Sequence, residues 1–301
     1  MTKFMIGADP EIFVKNAAGV NVSAHDIVPG SKKAPHKVAK GAVQPDGLAA
    51  EFNIDPVPYN DFAAFDENIF TVLSALQKTL PEGHKFDLRA STVFDKAYYD
   101  SLPESAKELG CDPDYCAYSE DPFEPNKRPD GASGLRSAAG HIHIGWGADI
   151  PVDHPDHIEI CRKLIRNLDV YVGLGMTVFD RDTERRKLYG KAGAYRPKSY
   201  GVEYRTPSNA WLPKREYRLF IHGLVGRCLN DMSAGKDIAS QLAGKYDIAS
   251  IINDGDAKSA KMILTKSLGV TIPDSVDPEK VEAAAKKAAE TARKATKKAE
   301  G

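Results

Sequence analysis

Residues 140–145 read Gly-His-Ile-His-Ile-Gly, and the alternation in this short stretch organises the reading of the whole chain. Successive side chains of a β-strand point to opposite faces, so His141 and His143 share one face and Ile142 and Ile144 the other. Glycines at both ends remove side chains where a ligand or another backbone comes close. Two neutral imidazoles on one face are good metal ligands. Two histidines hydrogen-bonded inside a sheet are the plainer alternative, and this strand alone leaves both open.

Three further stretches repeat the two-apart pattern. Lys3–Val14 reads as a strand carrying Asp9 and Glu11 among Phe4, Ile6, Ile12 and Phe13. Pro10 cannot donate to a ladder, so this segment is expected to finish at a sheet edge or bulge. Gln44-Pro-Asp-Gly47 is a turn signal, and in Leu48–Asp55 after it Glu51, Asn53 and Asp55 oppose Phe52 and Ile54. In Gly201–Thr206, Glu203 and Arg205 oppose Val202, Tyr204 and Thr206. If these strands join with their polar faces together, they assemble three or four carboxylates and one or two imidazoles. Like charges at close range disfavour ionisation, so such a cluster calls for divalent cations. Oxygen-rich ligands with an occasional imidazole suit Mg²⁺ or Mn²⁺ better than zinc. Between residues 178 and 200 lie Arg181, Arg185, Arg186, Lys187, Lys191, Arg196 and Lys198, interleaved with Gly190 and Gly193. That run, with Arg205, fits a phosphate clamp.

The remainder supplies the frame. Helical spacing is present over 60–80, 155–172 and 216–230, with broken helices over 238–268. Asn16–Gly19 turns into a short strand, Val20–Ser23, and Phe86–Phe94 is another strand. His25–Gly41 is an irregular basic loop with Lys32, Lys33, Lys37 and Lys40, either a solvated loop or a cover for phosphates; Cys111–Arg136 is a long loop. The 301 residues, 42% apolar and 28% charged with net charge −1, fit a soluble globular protein without a field directed at nucleic acid or membrane. The four cysteines, Cys111, Cys116, Cys161 and Cys228, match no dense disulfide framework, and cytoplasmic reduced thiols are expected. No signal core or membrane span is evident. From Asp277 onward Ala, Lys and Glu dominate, predicting a solvated helix or disordered tail whose basic excess is the one feature suited to nucleic acid. The expected organisation is a catalytic domain over 1–230, a helical extension over 231–276 and the tail over 277–301.

Together, G-A-D-P-E at 7–11, Q-P-D-G-L-A-A-E-F-N at 44–53, G-H-I-H-I-G at 140–145 and Y-G-V-E-Y-R at 200–205 resemble the phage-type carboxylate–amine ligases of the glutamine synthetase and glutamate–cysteine ligase superfamily. The resemblance covers about residues 3–230. It implies an α+β fold with a curved, mainly antiparallel sheet, helices on its convex face, and ATP with two or three Mg²⁺ or Mn²⁺ ions on the concave one. It implies Asp9, Glu11, Glu51, His143 and Glu203 as metal ligands, His143 being preferred to His141, with Asp46 following from the second motif. Arg205 would contact phosphate, with Arg185, Arg186, Lys191 and Arg196 as further nucleotide contacts; Arg136, on the mobile-looking loop, would bind a substrate carboxylate. The implied reaction is ATP-dependent amide formation through an acyl phosphate, by a phage-encoded enzyme of the host cytoplasm acting on a small molecule or peptide. A second reading is a cupin-like or other non-haem iron enzyme built on the His-x-His strand. Against it, no Glu follows four to six residues after His143, and an oxygenase has no use for so many arginines. A third is a non-catalytic virion or binding protein on the same fold, which the intact acids at 9, 11, 51 and 203 oppose.

Overall fold

Six strands carry the polar pattern in the computed structural model, which describes residues 4–107, 113–127, 134–147 and 150–299. They are β1 (Met5–Lys15), β2 (Gly41–Asp46), β3 (Ala49–Ile54), β4 (Gly140–Gly145), β5 (Ala194–Lys198) and β6 (Gly201–Tyr204). All pair antiparallel in the order β5-β6-β4-β1-β3-β2, at the heart of a twelve-stranded sheet. Cys111 lies outside the described residues; Cys116, Cys161 and Cys228 are free thiols.

The register puts the chemistry on one side. Asp9 stands opposite His141, His143 opposite Glu203, Glu203 opposite Arg196, and Glu51 opposite both Glu11 and Gln44. Opposed residues of antiparallel strands share a face, so one polar face crosses all six strands. The other face presents Ile6, Ile12, Phe52, Ile142, Ile144, Val202 and Tyr204, all buried in the main core. Over it pack α1 (Phe62–Thr79) and α2 (Pro155–Leu168), which bury Phe65, Ile69, Val72 and Leu76, and Ile158, Cys161, Leu164, Ile165 and Leu168. That recurrence at three- and four-residue intervals is what makes each an amphipathic helix. Asp61 caps α1 by accepting from the Ala64 N–H at 3.0 Å. Residues of 248–276, Ile252, Ile263, Leu264 and Val276 among them, belong to the same core. The tail forms a helix, Pro278–Ala299. No helix among the described residues is long and apolar enough to cross a membrane.

Several local expectations give way to tertiary pairing. β1 is central rather than ending at an edge. It pairs with β4 through Pro10, and its register with β3 covers Glu11 and Ile12, so Pro10 stands one residue before that ladder. The turn expected at 44–47 shifts to 47–48, since Gln44 to Asp46 continue β2. Phe86–Phe94 divides into Lys85–Asp87, against β1, and Ser91–Val93, against Leu135–Ser137. The helix begun at Pro155 passes at Asp169–Gly173 into a π-helical turn, then into α3 (Leu174–Phe179). There the Tyr204 hydroxyl donates to Asp169 at 2.5 Å, and a Cβ at Gly173 would lie 3.0 Å from that hydroxyl.

Gly140 explains the glycine that opens the histidine strand. A Cβ there would lie 2.3 Å from the Ser208 carbonyl oxygen and 2.4 Å from Trp211 Nε1, which donates to the Gly140 carbonyl. Gly140→Ala is expected to destabilise the fold by about 1–3 kcal/mol, the cost of overpacking a filled interior. The readout is a lower denaturant midpoint at unchanged slope; an unchanged midpoint would show that the Trp211 contact yields freely.

Candidate active site

The polar face has an acidic end, built by β1, β2 and β3. Glu11 accepts from the Ala139 N–H at 2.9 Å, and Glu51 accepts from Gln44 Nε2 at 3.0 Å. Asp46 pairs with Lys32 at 2.6 Å. Burial, with the charge of Asp46, pushes the Glu11 carboxyl up to about 7. Burial and then Asp46, Asp9 and Glu11 push Glu51 well above the usual carboxylate range. Beyond this end, Phe13, Leu48, Ala49, Phe94 and Tyr99 form a second apolar cluster. Phe13 and Ala49 alternate in step with Glu11 and Glu51, so this cluster walls the polar face.

The middle holds Asp9 and the two imidazoles. Asp9 Oδ1 lies 3.0 Å from His143 Nε2 and 3.3 Å from His141 Nδ1. Burial opposes ionisation of Asp9, and His143 and His141 outweigh it, holding the carboxyl well below its usual range. The histidines then divide. Burial and the Arg205 guanidinium lower His141 to about 4, which leaves it a neutral imidazole near pH 7. Burial also works against the His143 cation, but Asp9 raises its pKa, and His143 Nδ1 meets the Tyr200 hydroxyl at 2.6 Å.

The opposite end is basic. Glu203, 1% exposed, is gripped by Arg205 Nη1, by Arg196 Nη1 at 3.1 Å and by Lys198 Nζ at 3.0 Å. Burial opposes its charge, yet Arg205, His141 and Arg196 hold the carboxyl well below its usual range. Arg205 also reaches Asp114 at 3.2 Å. Three cations around one carboxylate leave positive charge for an anionic ligand, while the acidic end gathers carboxylates that a bound cation would allow to ionise.

Asp9, His141 and Glu203 offer ligand atoms within 4.8 Å of one another. Asp9 Oδ1 is buried without an aligned hydrogen-bond donor among the described residues. One neutral imidazole with two carboxylates is a hard, oxygen-rich donor set suited to Mg²⁺ or Mn²⁺. The histidine in this group is His141; His143, preferred from the resemblance, places Nε2 3.0 Å from Asp9 Oδ1 and Nδ1 2.6 Å from the Tyr200 hydroxyl.

Of the other expected residues, Glu11, Asp46, Glu51, Arg196 and Arg205 share the polar face or flank it. Arg185 lies within electrostatic reach of Glu11, but its buried guanidinium donates to the carbonyls of Thr206 and Arg205 at 2.7 and 2.9 Å. Arg186 is likewise buried, donating to the Asp180 carbonyl. These two arginines hold backbone beside the site. Lys191 is exposed on the turn before β5. Arg136 is not on a mobile loop: it sits in Leu135–Ser137, buried, donating to the Tyr99 hydroxyl and stacked 4.8 Å from that ring. Sequence reasoning did not single out Lys32 or Tyr200 as site residues, and named Lys198 only within the basic run. Tyr200 stood inside the quoted 200–205 motif and Lys198 inside the basic run, so both carried a signal; Lys32 carried none beyond its basic loop.

Residues 137–225 match the family described as "Phage phiEco32-like COOH.NH2 ligase-type 2". The matched segment contains β4, β5 and β6, hence both histidines and Glu203, and it supports a carboxylate–amine ligase. A search of curated proteins returned no match. Among solved structures, the chain is similar to a bifunctional glutathione synthetase from Pasteurella multocida, with 10% sequence identity and a TM-score of 0.41. That similarity covers 82% of this chain, which spans only 41% of the other.

Proposed function

We propose that the protein is an ATP- and divalent-cation-dependent carboxylate–amine ligase of the glutamine synthetase type, forming an amide through an acyl phosphate. One observation carries this reading: a single sheet face that gathers buried carboxylates at one end and cations at the other, with His141 between them. Asp9, His141 and Glu203 would hold one cation, and Glu11, Glu51 and Asp46 another. Cations held there would offset negative charge on the phosphoryl group in transfer. Arg205, Arg196 and Lys198 orient the anionic end of the nucleotide or the acyl phosphate. A substrate carboxylate oxygen attacks the γ-phosphorus as its bond to the ADP oxygen breaks. An amine nitrogen then attacks the acyl carbon, the C–O bond to phosphate breaks, and the nitrogen loses a proton. The non-haem iron reading is disfavoured because the candidate ligand group holds one histidine and two carboxylates, the reverse of a facial triad.

Calorimetric titration with the β,γ-imido analogue of ATP is expected to show binding with Mn²⁺ and none with chelator. With ATP, Mg²⁺ and pools of amino acids or peptides, ADP release should appear for some pool. Absence of metal-dependent nucleotide binding would sink the ligase reading.

A further inference from the structure

The acidic end has a resident cation that no motif predicts. Gly30–Ser31 and Ala34–Val38 form a hairpin on the outer edge of β2, with Lys32 and Lys33 at its tip. Gly30 has φ +94°, and a Cβ there would lie 2.5 Å from the His36 backbone nitrogen, so only glycine lets the hairpin close this tightly. The tip carries Lys32 Nζ to within 2.6 Å of Asp46 Oδ1, with the lysine side chain 48% exposed. Among the described residues Glu11 and Glu51 form no ion pair, and Asp46 pairs with Lys32. One half-solvated ammonium therefore faces three carboxylates, and its four-carbon stem keeps rotational freedom.

We propose that Lys32 is a two-position residue: it neutralises Asp46 in the cation-free protein and swings to a phosphate oxygen when a divalent cation takes that carboxylate. This rests on the ligase reading above and adds to it a positioning residue from the hairpin. An ammonium and a divalent cation cannot both sit against Asp46 without repelling each other. Displacement releases a positive charge beside the place where polyphosphate arrives.

The test uses calorimetry on the full chain with Mn²⁺ alone and with Mn²⁺ plus the imido analogue. It compares wild type, Lys32→Met and Lys33→Met, the last removing the same charge from the same tip. Lys32→Met is expected to bind Mn²⁺ about two- to fivefold tighter, the range set by loss of one partly exposed ion pair. It should bind the Mn²⁺–nucleotide at least about tenfold weaker, through loss of a charged hydrogen bond. Lys33→Met should stay within about twofold of wild type in both. If the two variants behave alike, the proposal fails. Tighter Mn²⁺ with unchanged nucleotide affinity overturns the second position, reducing Lys32 to a counter-ion. If wild type itself binds no Mn²⁺–nucleotide, the ligase reading falls and the proposal with it, which distinguishes the two failures.

Discussion

Glu51→Gln is expected to abolish turnover while making the cation-free protein more stable at alkaline pH. The native carboxyl is buried, with Asp46, Asp9 and Glu11 acting against its charge. Glutamine has the shape of the protonated acid and still accepts from Gln44 Nε2. The variant therefore removes a repulsion and keeps a hydrogen bond, and the gain grows as pH rises and the native glutamate is forced to ionise. Turnover should fall by about 10²–10³-fold or more, as for loss of a group that organises transition-state charge. Glu11 contributes a falling limb to the wild-type pH profile. Its pKa rises from 4.5 to about 7 on folding, so the native state keeps a proton that the unfolded state has lost. Its contribution to stability is full below about 4.5 and is lost as pH climbs through about 7. Divalent cation should flatten that decline by taking the proton's place. Thermal midpoints of wild type and Glu11→Gln from pH 5 to 8, with and without Mn²⁺, would check both statements; a cation-free difference between the two that does not grow as pH rises would contradict them.

Glu203→Gln is expected to lose turnover to a similar degree with the opposite effect on stability. Glu203 is the shared counter-ion of Arg205, Arg196 and Lys198, and its replacement leaves three cations facing one another. Breaking a buried pair costs about 3–5 kcal/mol, and the lower end applies because Lys198 keeps solvent contact. A destabilised, folded and inactive protein is the expected outcome, measured by denaturant midpoint and ADP release. Near-normal activity in both glutamine variants would show that the metal assignment is wrong, whatever their midpoints.

The paired positions were legible because a strand's period is two, and a polar residue at every second place marks a face without knowledge of the partner. Asp9 with Glu11, Glu51 with Asn53, and Glu203 with Arg205 could be set on one side by counting. Counting could not divide His141 from His143, because the division is made by Arg205 and Asp9 across strand boundaries and by a tyrosine three residues before Glu203. Arg185 and Arg186 looked like phosphate ligands because a charged run says nothing of where each guanidinium ends. In the fold they meet carbonyl groups that would otherwise be buried beside the site. Lys32 was legible only as one lysine of a basic loop for a related reason: its place beside Asp46 comes from a hairpin on the edge of β2, not from its own neighbours in sequence. The π-helical turn at Asp169 was hidden because a helical repeat does not show where one extra residue enters.

The placement of Pro10 has a consequence for how the chain avoids a wrong structure. A one-residue slip of β1 would turn its carboxylates into the core and is excluded by burial alone. A two-residue slip is the dangerous one, since acid would still face the polar side and aliphatic the other. It would carry Pro10 to the place that Ile12 now holds opposite Ala50, where the ladder needs a donor that proline lacks. Pro10 thus acts as a register pin, defending the alignment of Asp9 with His141 and of Glu11 with Glu51 against the alternative that hydrophobic pattern alone would permit.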